Sequence, residues 1–448
     1  MCYENKYKPE LFILNNSSYT ETNHISFSFI DYESMIKKIG EGNARITKNG
    51  NLELSKYIGI QRKGSGKNIN NKNSIQFKDR GYLNIFKDIH IEKMKLKGLS
   101  LFSCSGIAEY YIKNNDKVEI VIANELLDNR SKIYKHFYPE CHMIQGDIIN
   151  EYKNILEKAR EKDIDFIIAT PPCQSFSNAG RKNIEDKRTP LFMYVIKLIK
   201  ELSPKYVLIE NVPNFMKSKY KKDSDEIISQ VFEKKLKEYI ISTKILNTKD
   251  YEVPQARRRS ITLLTKKGLE EWKHPKKSKR NITVRDAIGH LPSLKNEEKS
   301  DVYKWHYCRK HNDNHILWMS HTPTGKTAFD NEIYFPSKNG RKIKGYKTTY
   351  KRIEWDKPSP TITMSSGSIS SQNNVHPGNK YTKFNEELNK DEVLYDNPRA
   401  LSVYEIMLLT GLDNSWDPPT TNEKLVRDII GEAIPPKLVK KIIDNLPL

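Results

Sequence analysis

Four side chains have types and settings suited to nucleophilic chemistry. Cys173 ends Pro171-Pro172-Cys173, directly after the apolar run DIDFIIAT. Paired prolines stiffen the backbone and present the thiol on a rigid turn. A thiolate is a strong, soft nucleophile. Glu210 begins Glu210-Asn211-Val212 at the end of the next apolar run, KYVLIENV. A carboxyl group there can protonate or hydrogen-bond a ring nitrogen and draw electrons from the ring under attack. Arg257 and Arg259, in Gln255-Ala256-Arg257-Arg258-Arg259, supply planar donors toward a carbonyl oxygen or a phosphate. Taken singly, these are equally an inert core cysteine, a surface ion pair and a basic strand edge. The polar loop QSFSN after Cys173 favours an accessible thiol.

The elements that must position them show in the hydrophobic pattern. LKGLSLFS, VEIVIANE, DIDFIIATPP, KYVLIENV and RSITLLT are short apolar runs separated by amphipathic stretches. They read as parallel strands with crossover helices, a doubly wound α/β sheet with helices on both faces. FMYVIKLIKEL has helical spacing, stops before Pro204 and fits one crossover. Such sheets bind ligands at the carboxyl ends of their strands. Ser103-Cys104-Ser105-Gly106 ends the first run as a small-residue turn expected to lead into a helix. Glu125 ends the second, where a carboxylate can accept hydrogen bonds from ribose hydroxyls. Asp147 ends a third, short segment, placed to accept from an adenine amino group or simply to cap a helix.

Composition bounds the partners. Among 448 residues, 76 Lys and Arg face 56 Asp and Glu, a formal charge of +20 that favours polyanions, nucleic acid first. Lys is scattered rather than clustered, so base composition of the source genome explains part of the excess. Five irregularly spaced cysteines argue for free thiols in a reducing compartment. No run approaches the ~20 apolar residues of a membrane span, and the polar start lacks a signal peptide's apolar core. A cytoplasmic protein is expected.

Residues 1–95 are polar and turn-rich, an extension without a chemical motif. ARITKNGNLELS predicts a hairpin about Asn49-Gly50, and GIQRKGSGKNINNKN reads as a flexible basic loop. The α/β rhythm covers 96–267, fades over 268–395, and gives way to helical patterns over 396–448. WHYCRKHNDNHILWMSH gathers Cys308 with His306, His311, His315 and His321, but its spacing fits no standard zinc finger. PSPTITMSSGSISSQNNVHPG reads as a source of polar donors for phosphate or base edges, or as a solvated loop.

In order, these motifs resemble the cytosine-5 DNA methyltransferase family, bacterial type, from about Leu96 to Ile443. Pro171-Pro172-Cys173 resembles the family's nucleophile motif, Glu210-Asn211-Val212 its base-gripping motif and Gln255 to Arg259 its Gln and alternating-Arg motif. Arg399-Ala400-Leu401-Ser402 through Glu405 is similar to a late helical motif, and Gly431-Glu432-Ala433-Ile434-Pro435-Pro436 to the final one. The resemblance implies a Rossmann-like methyltransferase sheet using S-adenosyl-L-methionine. Phe102 would stack near the adenine, Glu125 hold the ribose and Asp147 the amino group. Ser103, Cys104, Ser105, Gly106, Leu126, Ile148, Pro171, Leu191, Glu432 and Ala433 would complete the cofactor site.

It further implies double-stranded DNA as substrate, a flipped cytosine, and attack by Cys173 on ring carbon 6. Glu210 would bind ring nitrogen 3, Arg259 the carbonyl oxygen, and Arg257 support the loop. Residues 268–395 would form a target-recognition domain, with 396–448 folding back onto the catalytic domain. A monomer is expected, acting in a restriction-modification system, with an endonuclease sharing its site but not bound stably, or as a solitary enzyme. No metal is required. Two departures stand out: SCSGIAE has less glycine than the family's first motif, and Glu432 replaces the usual Asn. A transfer-RNA methyltransferase of the same architecture and a non-catalytic DNA-binding regulator are the alternatives. The long region after Arg259 favours DNA, and the intact Cys173, Glu210 and Arg pair favour an enzyme.

Overall fold

The computed structural model describes residues 95–172, 191–220 and 224–447, with the backbone of five short strands between residues 25 and 69. The chain divides into Met1–Lys93 and Met94–Leu448. In the first unit Ala44–Ile46 pairs antiparallel with Leu52–Leu54, the strands expected about Asn49-Gly50. The stretch read as an open basic loop contributes two strands instead, since Ile60–Arg62 pairs with Asn68–Ile69 and with Ile25–Ser26.

The second unit is built on a seven-stranded sheet. In chain order its strands are β1 (Leu96–Leu101), β2 (Val118–Glu125), β3 (His142–Gln145), β4 (Phe166–Ala169), β5 (Tyr206–Asn211), β6 (Tyr239–Asn247) and β7 (Arg258–Lys266). Their spatial order is β6-β7-β5-β4-β1-β2-β3. Strands β1 to β5 pair in parallel, and FIIA and YVLIEN are buried throughout, as interior strands covered on both faces must be. RSITLLT departs from the parallel expectation, because β7 runs antiparallel to both β5 and β6. An apolar run carries no direction. β6 escaped notice because an edge strand with one solvated face needs no continuous apolar run.

Helices α1 (Asp128–Phe137), α2 (Ile148–Glu161), α3 (Phe192–Leu202) and α4 (Ile228–Lys235) follow their strands. Ile155, Val195, Ile199 and Phe232 join one core with Leu99, Ile167 and Val207. A second core joins Phe166, Leu208 and Leu263 to Trp272 and to Leu438, Val439, Ile442 and Ile443 of the last helix. Packing, more than propensity, keeps so short a terminal helix formed. After Gly106 the expected helix is absent. Overlapping three-residue turns run on instead, with Tyr110 and Tyr111 hydroxyls held by Asp413.

Residues 268–395 carry two short helices, α5 (Val284–Ile288) and α6 (Asp313–Ser320), and small two-stranded ribbons. Their organiser is Arg352, fully buried without a carboxylate partner among the described residues. Its guanidinium donates to the carbonyls of Met319, Thr322, His376 and Asp396 and lies over the Tyr395 ring. Helices α7 (Val403–Thr410), α8 (Glu423–Glu432) and α9 (Pro436–Asp444) complete the unit. Among the described residues no helix is long and apolar enough to cross a membrane.

Candidate active site

Strand order reverses between β1 and β4, the point at whose carboxyl ends sheets of this kind bind their ligands. Two bonds stitch the ends together: Thr170 N donates to Leu101 O at 3.2 Å and Thr170 Oγ1 to Phe102 O at 3.0 Å. Phe102 and Cys104 hold the left-handed backbone, at φ 58° and 51°. Side-chain residues seldom adopt it, and when they do the strain often marks a ligand site. Gly106, at φ 77°, has no room for a Cβ, which would fall 2.3 Å from the Tyr138 ring.

Glu125 stands at the end of β2 with both oxygens engaged. Cys104 N donates to Oε2 and Leu127 N to Oε1, each at 2.9 Å. Burial raises its pKa, and those backbone donors and Arg130 oppose the rise. Each oxygen keeps a second acceptor position for a hydroxyl. Ser103 Oγ is spent on Asn124 O at 3.1 Å, whereas the buried Ser105 Oγ has no partner among the described residues. Burial pushes the Cys104 thiol up to about 12, so it is neutral at working pH. Asp147 caps α2, accepting from Ile149 N at 2.9 Å through one oxygen. Leu191 lies buried beside the first turn of α3. Ile148 is buried in the core; Leu126 and Ile149, 55% and 42% exposed, offer the apolar surface beside Asp147.

The final motif meets α1 through a pair that sequence reading missed. Glu432 Oε2 lies 2.7 Å from Arg130 Nη1, so its charge is balanced where the family commonly carries Asn. Nothing in local sequence marks Arg130, which lies in an ordinary amphipathic helix. Ala433 caps α8, its N–H reaching Ile429 O.

Pro171 is buried and Pro172 half-buried; Cys173 lies outside the described residues. Pro171 O accepts from Asn211 Nδ2 at 2.9 Å, tying the turn before Cys173 to the residue after Glu210. Glu210 is buried, and Arg259 Nε lies 2.7 Å from its Oε1. This contact depends on the direction of β7. Running antiparallel, β7 starts at the carboxyl end of β5, with Asn211 opposite Ser260 and Glu210 opposite Ile261. A parallel β7 would carry Arg259 to the other end of the sheet. Burial raises the Glu210 pKa, while Arg259 and Arg257 pull it down.

Arg257 takes a different place. Its guanidinium donates to Ile362 O at 2.9 Å, Gly431 O at 2.9 Å and Glu432 O at 3.0 Å. It ties the irregular region to the end of α8, and its charge acts on the Glu210 carboxylate. Gln255 bridges similarly, from Thr410 Oγ1 to Ile362 N, both at 3.3 Å. Arg399 forms a two-pronged pair with Glu405, at 2.8 Å through each prong, inside a capping box with Ser402.

The C-5 cytosine-specific DNA methylase family model matches residues 96–447. The chain belongs to this family. It is therefore a DNA cytosine methyltransferase, and family and fold imply use of S-adenosyl-L-methionine. The chain is 44% identical over 361 residues to Type II methyltransferase M1.HgaI of Avibacterium volantium, covering 78% of this chain and 98% of that protein. It is 30% identical over 317 residues to M1.HphI of Haemophilus parahaemolyticus, covering 69% and 76%. Among solved structures, an E. coli prophage protein described as a DNA modification methyltransferase superposes with TM-score 0.57 at 20% identity, covering 78% and 98%. A Spodoptera frugiperda DNMT2 mutant does so with TM-score 0.50 at 19% identity, covering 78% and 99%. These likenesses concern the fold.

The histidine cluster has partners of its own. His306 bonds Ser402 Oγ and Pro292 O, and His315 bonds the Tyr350 hydroxyl. No group of three or more His, Cys, Asp or Glu among the described residues is arranged to hold a metal. The run 358–378 is largely internal structure: Ser366, Ile369 and Asn374 are buried, and Asn374 Nδ2 donates to Ser366 O.

Glu109, within the same SCSGIAE turn, is a titratable residue that sequence reading passed over. It is fully buried, takes a hydrogen bond from the Ser100 hydroxyl, and has its other oxygen unpartnered among the described residues. Burial pushes its carboxyl up to about 7. The folded chain thus keeps this proton when the unfolded chain, near 4.5, has lost it. The stability this group contributes is complete below about 4.5 and is lost as pH rises through about 7, on the order of 3 kcal/mol in all. Glu109→Gln keeps the acceptor without the charge. Urea midpoints at pH 5 and pH 8 should then lie closer together than in the wild type; an unchanged difference would rule the assignment out.

Proposed function

We propose that the enzyme methylates carbon 5 of a cytosine flipped out of duplex DNA, through a covalent bond to Cys173. The pairing of Glu210 with Arg259 at the end of β5, next to the anchored Pro171 turn, carries this reading. A stacked base exposes neither face to a pocket, so the cytosine must leave the duplex. The Cys173 thiolate adds to ring carbon 6. Glu210, whose raised pKa suits it to hold a proton, donates to ring nitrogen 3 and takes up the electron demand of the addition. Arg259 orients Glu210 and retains further N–H groups for the carbonyl oxygen. Carbon 5, now enamine-like, accepts the methyl group. Loss of its proton and expulsion of Cys173 restore the ring. Arg257 acts as a positioning residue: its Nη1 and Nη2 tie the carbonyls of Ile362, Gly431 and Glu432 together behind Glu210, on which its charge acts as a field.

The residues present suit S-adenosyl-L-methionine. The strained turn at Phe102–Gly106, the orphan Ser105 hydroxyl, Glu125 for hydroxyl groups and Asp147 for an amino group would hold it, with Leu126 supplying apolar contact. Bound there, the cofactor supplies an electrophilic methyl group on a sulfonium. Residues 96–267 with 396–448 serve as catalytic domain, and 268–395 as target-recognition domain. The relatives' Type II names support a restriction-modification role, with a partner nuclease sharing the recognised site.

The test is transfer of label from methyl-labelled cofactor to duplex DNA, to the same sequence as RNA, and to duplex with 5-methylcytosine throughout. Label on unmethylated duplex alone is expected. Label on RNA alone, or equal label on the premethylated duplex, would overturn the reading.

A further inference from the structure

Residues 337–347, SKNGRKIKGYK, are all exposed and hold five basic residues and no acidic one. Ser337–Lys338 pairs antiparallel with Arg341–Lys342. Asn339 and Gly340 between them have φ of 52° and 72°, the two positive values that a tight type I′ hairpin turn requires. The register sets Lys338 directly opposite Arg341 on one face, and Ser337 opposite Lys342 on the other.

The two faces have different occupations. Lys342 is turned into the body: its Nζ donates to Asn331 O at 2.8 Å and lies 4.7 Å over the Phe335 ring. Ile343 N closes the base of the ribbon on Pro336 O at 3.0 Å. Asn331 is buried and donates to Trp318 O at 2.9 Å, bolting the ribbon's base to α6. On the other face, Lys338 and Arg341 have no acidic group within 4 Å among the described residues, and Lys344 and Lys347 have none either. Like charges directly opposite each other on a ribbon destabilise it. Here no ion pair among the described residues offsets that cost.

We infer that this hairpin grips the phosphate backbone of duplex DNA through Lys338 and Arg341. The inference rests on the duplex substrate proposed above. A two-stranded ribbon closed by a tight turn and presenting two cations without an acidic partner suits a regular array of phosphates, and each neutralised phosphate releases counterions and makes binding salt-dependent.

The experiment is steady-state methylation of duplex DNA by the full-length chain across 50 to 200 mM salt, roughly the range over which phosphate contacts dominate affinity. The variant is Lys338→Ser with Arg341→Ser, which leaves the Asn339-Gly340 turn intact. Its KM for duplex should rise about 10-fold or more, and the slope of log KM against log salt should fall by about two. Its kcat and cofactor KM should match the wild type. Lys338→Arg with Arg341→Lys, which keeps both charges, should restore wild-type KM. An active wild type beside a double variant of unchanged KM and slope would overturn the hairpin's role alone. So would a changed methylated sequence with an unchanged slope, the mark of base reading. A wild type that transfers nothing to duplex would overturn the functional reading itself.

Discussion

Cys173→Ala is expected to abolish methyl transfer, by on the order of 10⁴-fold or more, because burial raises the pKa of all three described thiols, Cys104, Cys141 and Cys308, and so disfavours their nucleophilic thiolates. Cys104 stands nearest in kind, but burial pushes its thiol up to about 12 and it belongs to the turn on β1. Duplex binding and cofactor binding should persist, since neither needs the thiol, and labelled transfer at saturating substrate checks the loss. Glu210→Gln should cost less, roughly 10²- to 10⁴-fold in kcat, because the amide can donate to a ring nitrogen but cannot give up a proton. Arg259→Ala removes the charge that opposes burial at Glu210, so the carboxyl should move further up. A pH profile of kcat whose carboxyl limb moves up in Arg259→Ala fits this. One that stays in place would separate the two residues. The double variant of Glu210 and Arg259 should lose less than the product of the single losses, as contacting partners do.

Arg352→Met is the second large effect, here on stability. The side chain is similar in volume, yet it would leave four carbonyls, those of Met319, Thr322, His376 and Asp396, without their buried donor. At ~1–3 kcal/mol for each unsatisfied group, the loss should be roughly 4–6 kcal/mol after relaxation. These carbonyls come from three separate segments, so the region around α6 should loosen first. KM for DNA should therefore rise under conditions in which the α/β sheet still binds cofactor. Burial pulls this guanidinium down to about 9, so it remains cationic at neutral pH and Arg352→Lys should recover part of the stability. A Met variant with an unchanged urea midpoint and unchanged KM would show that water replaces the guanidinium.

Much of the catalytic end is legible in sequence. Interior strands announce themselves as apolar runs, and ligand-facing residues follow them directly, so Glu125, Asp147, Pro171 and Glu210 could be placed at strand ends from local pattern alone. Some signals were present but unread. The Asn-Gly pair that marks a hairpin in the N-terminal unit recurs at Asn339-Gly340 and marks one there too. Glu109 lies inside SCSGIAE, and its burial, within the electrostatic reach of Tyr134 and Tyr138, has no local signature.

Sequence by itself determined the strand ends, the order of chemical groups along them and the family, because periodicity and short motifs are properties of neighbouring residues. Tertiary structure alone decided the pairings. Strand direction put Arg259 on Glu210, since an apolar run reads the same both ways. Chain return put Arg130 against Glu432, and gave Arg257 its acceptors, the carbonyls of Ile362 and Gly431 far along the chain. A guanidinium goes to whichever acceptors the fold brings near it, and no spacing in the sequence records which those are.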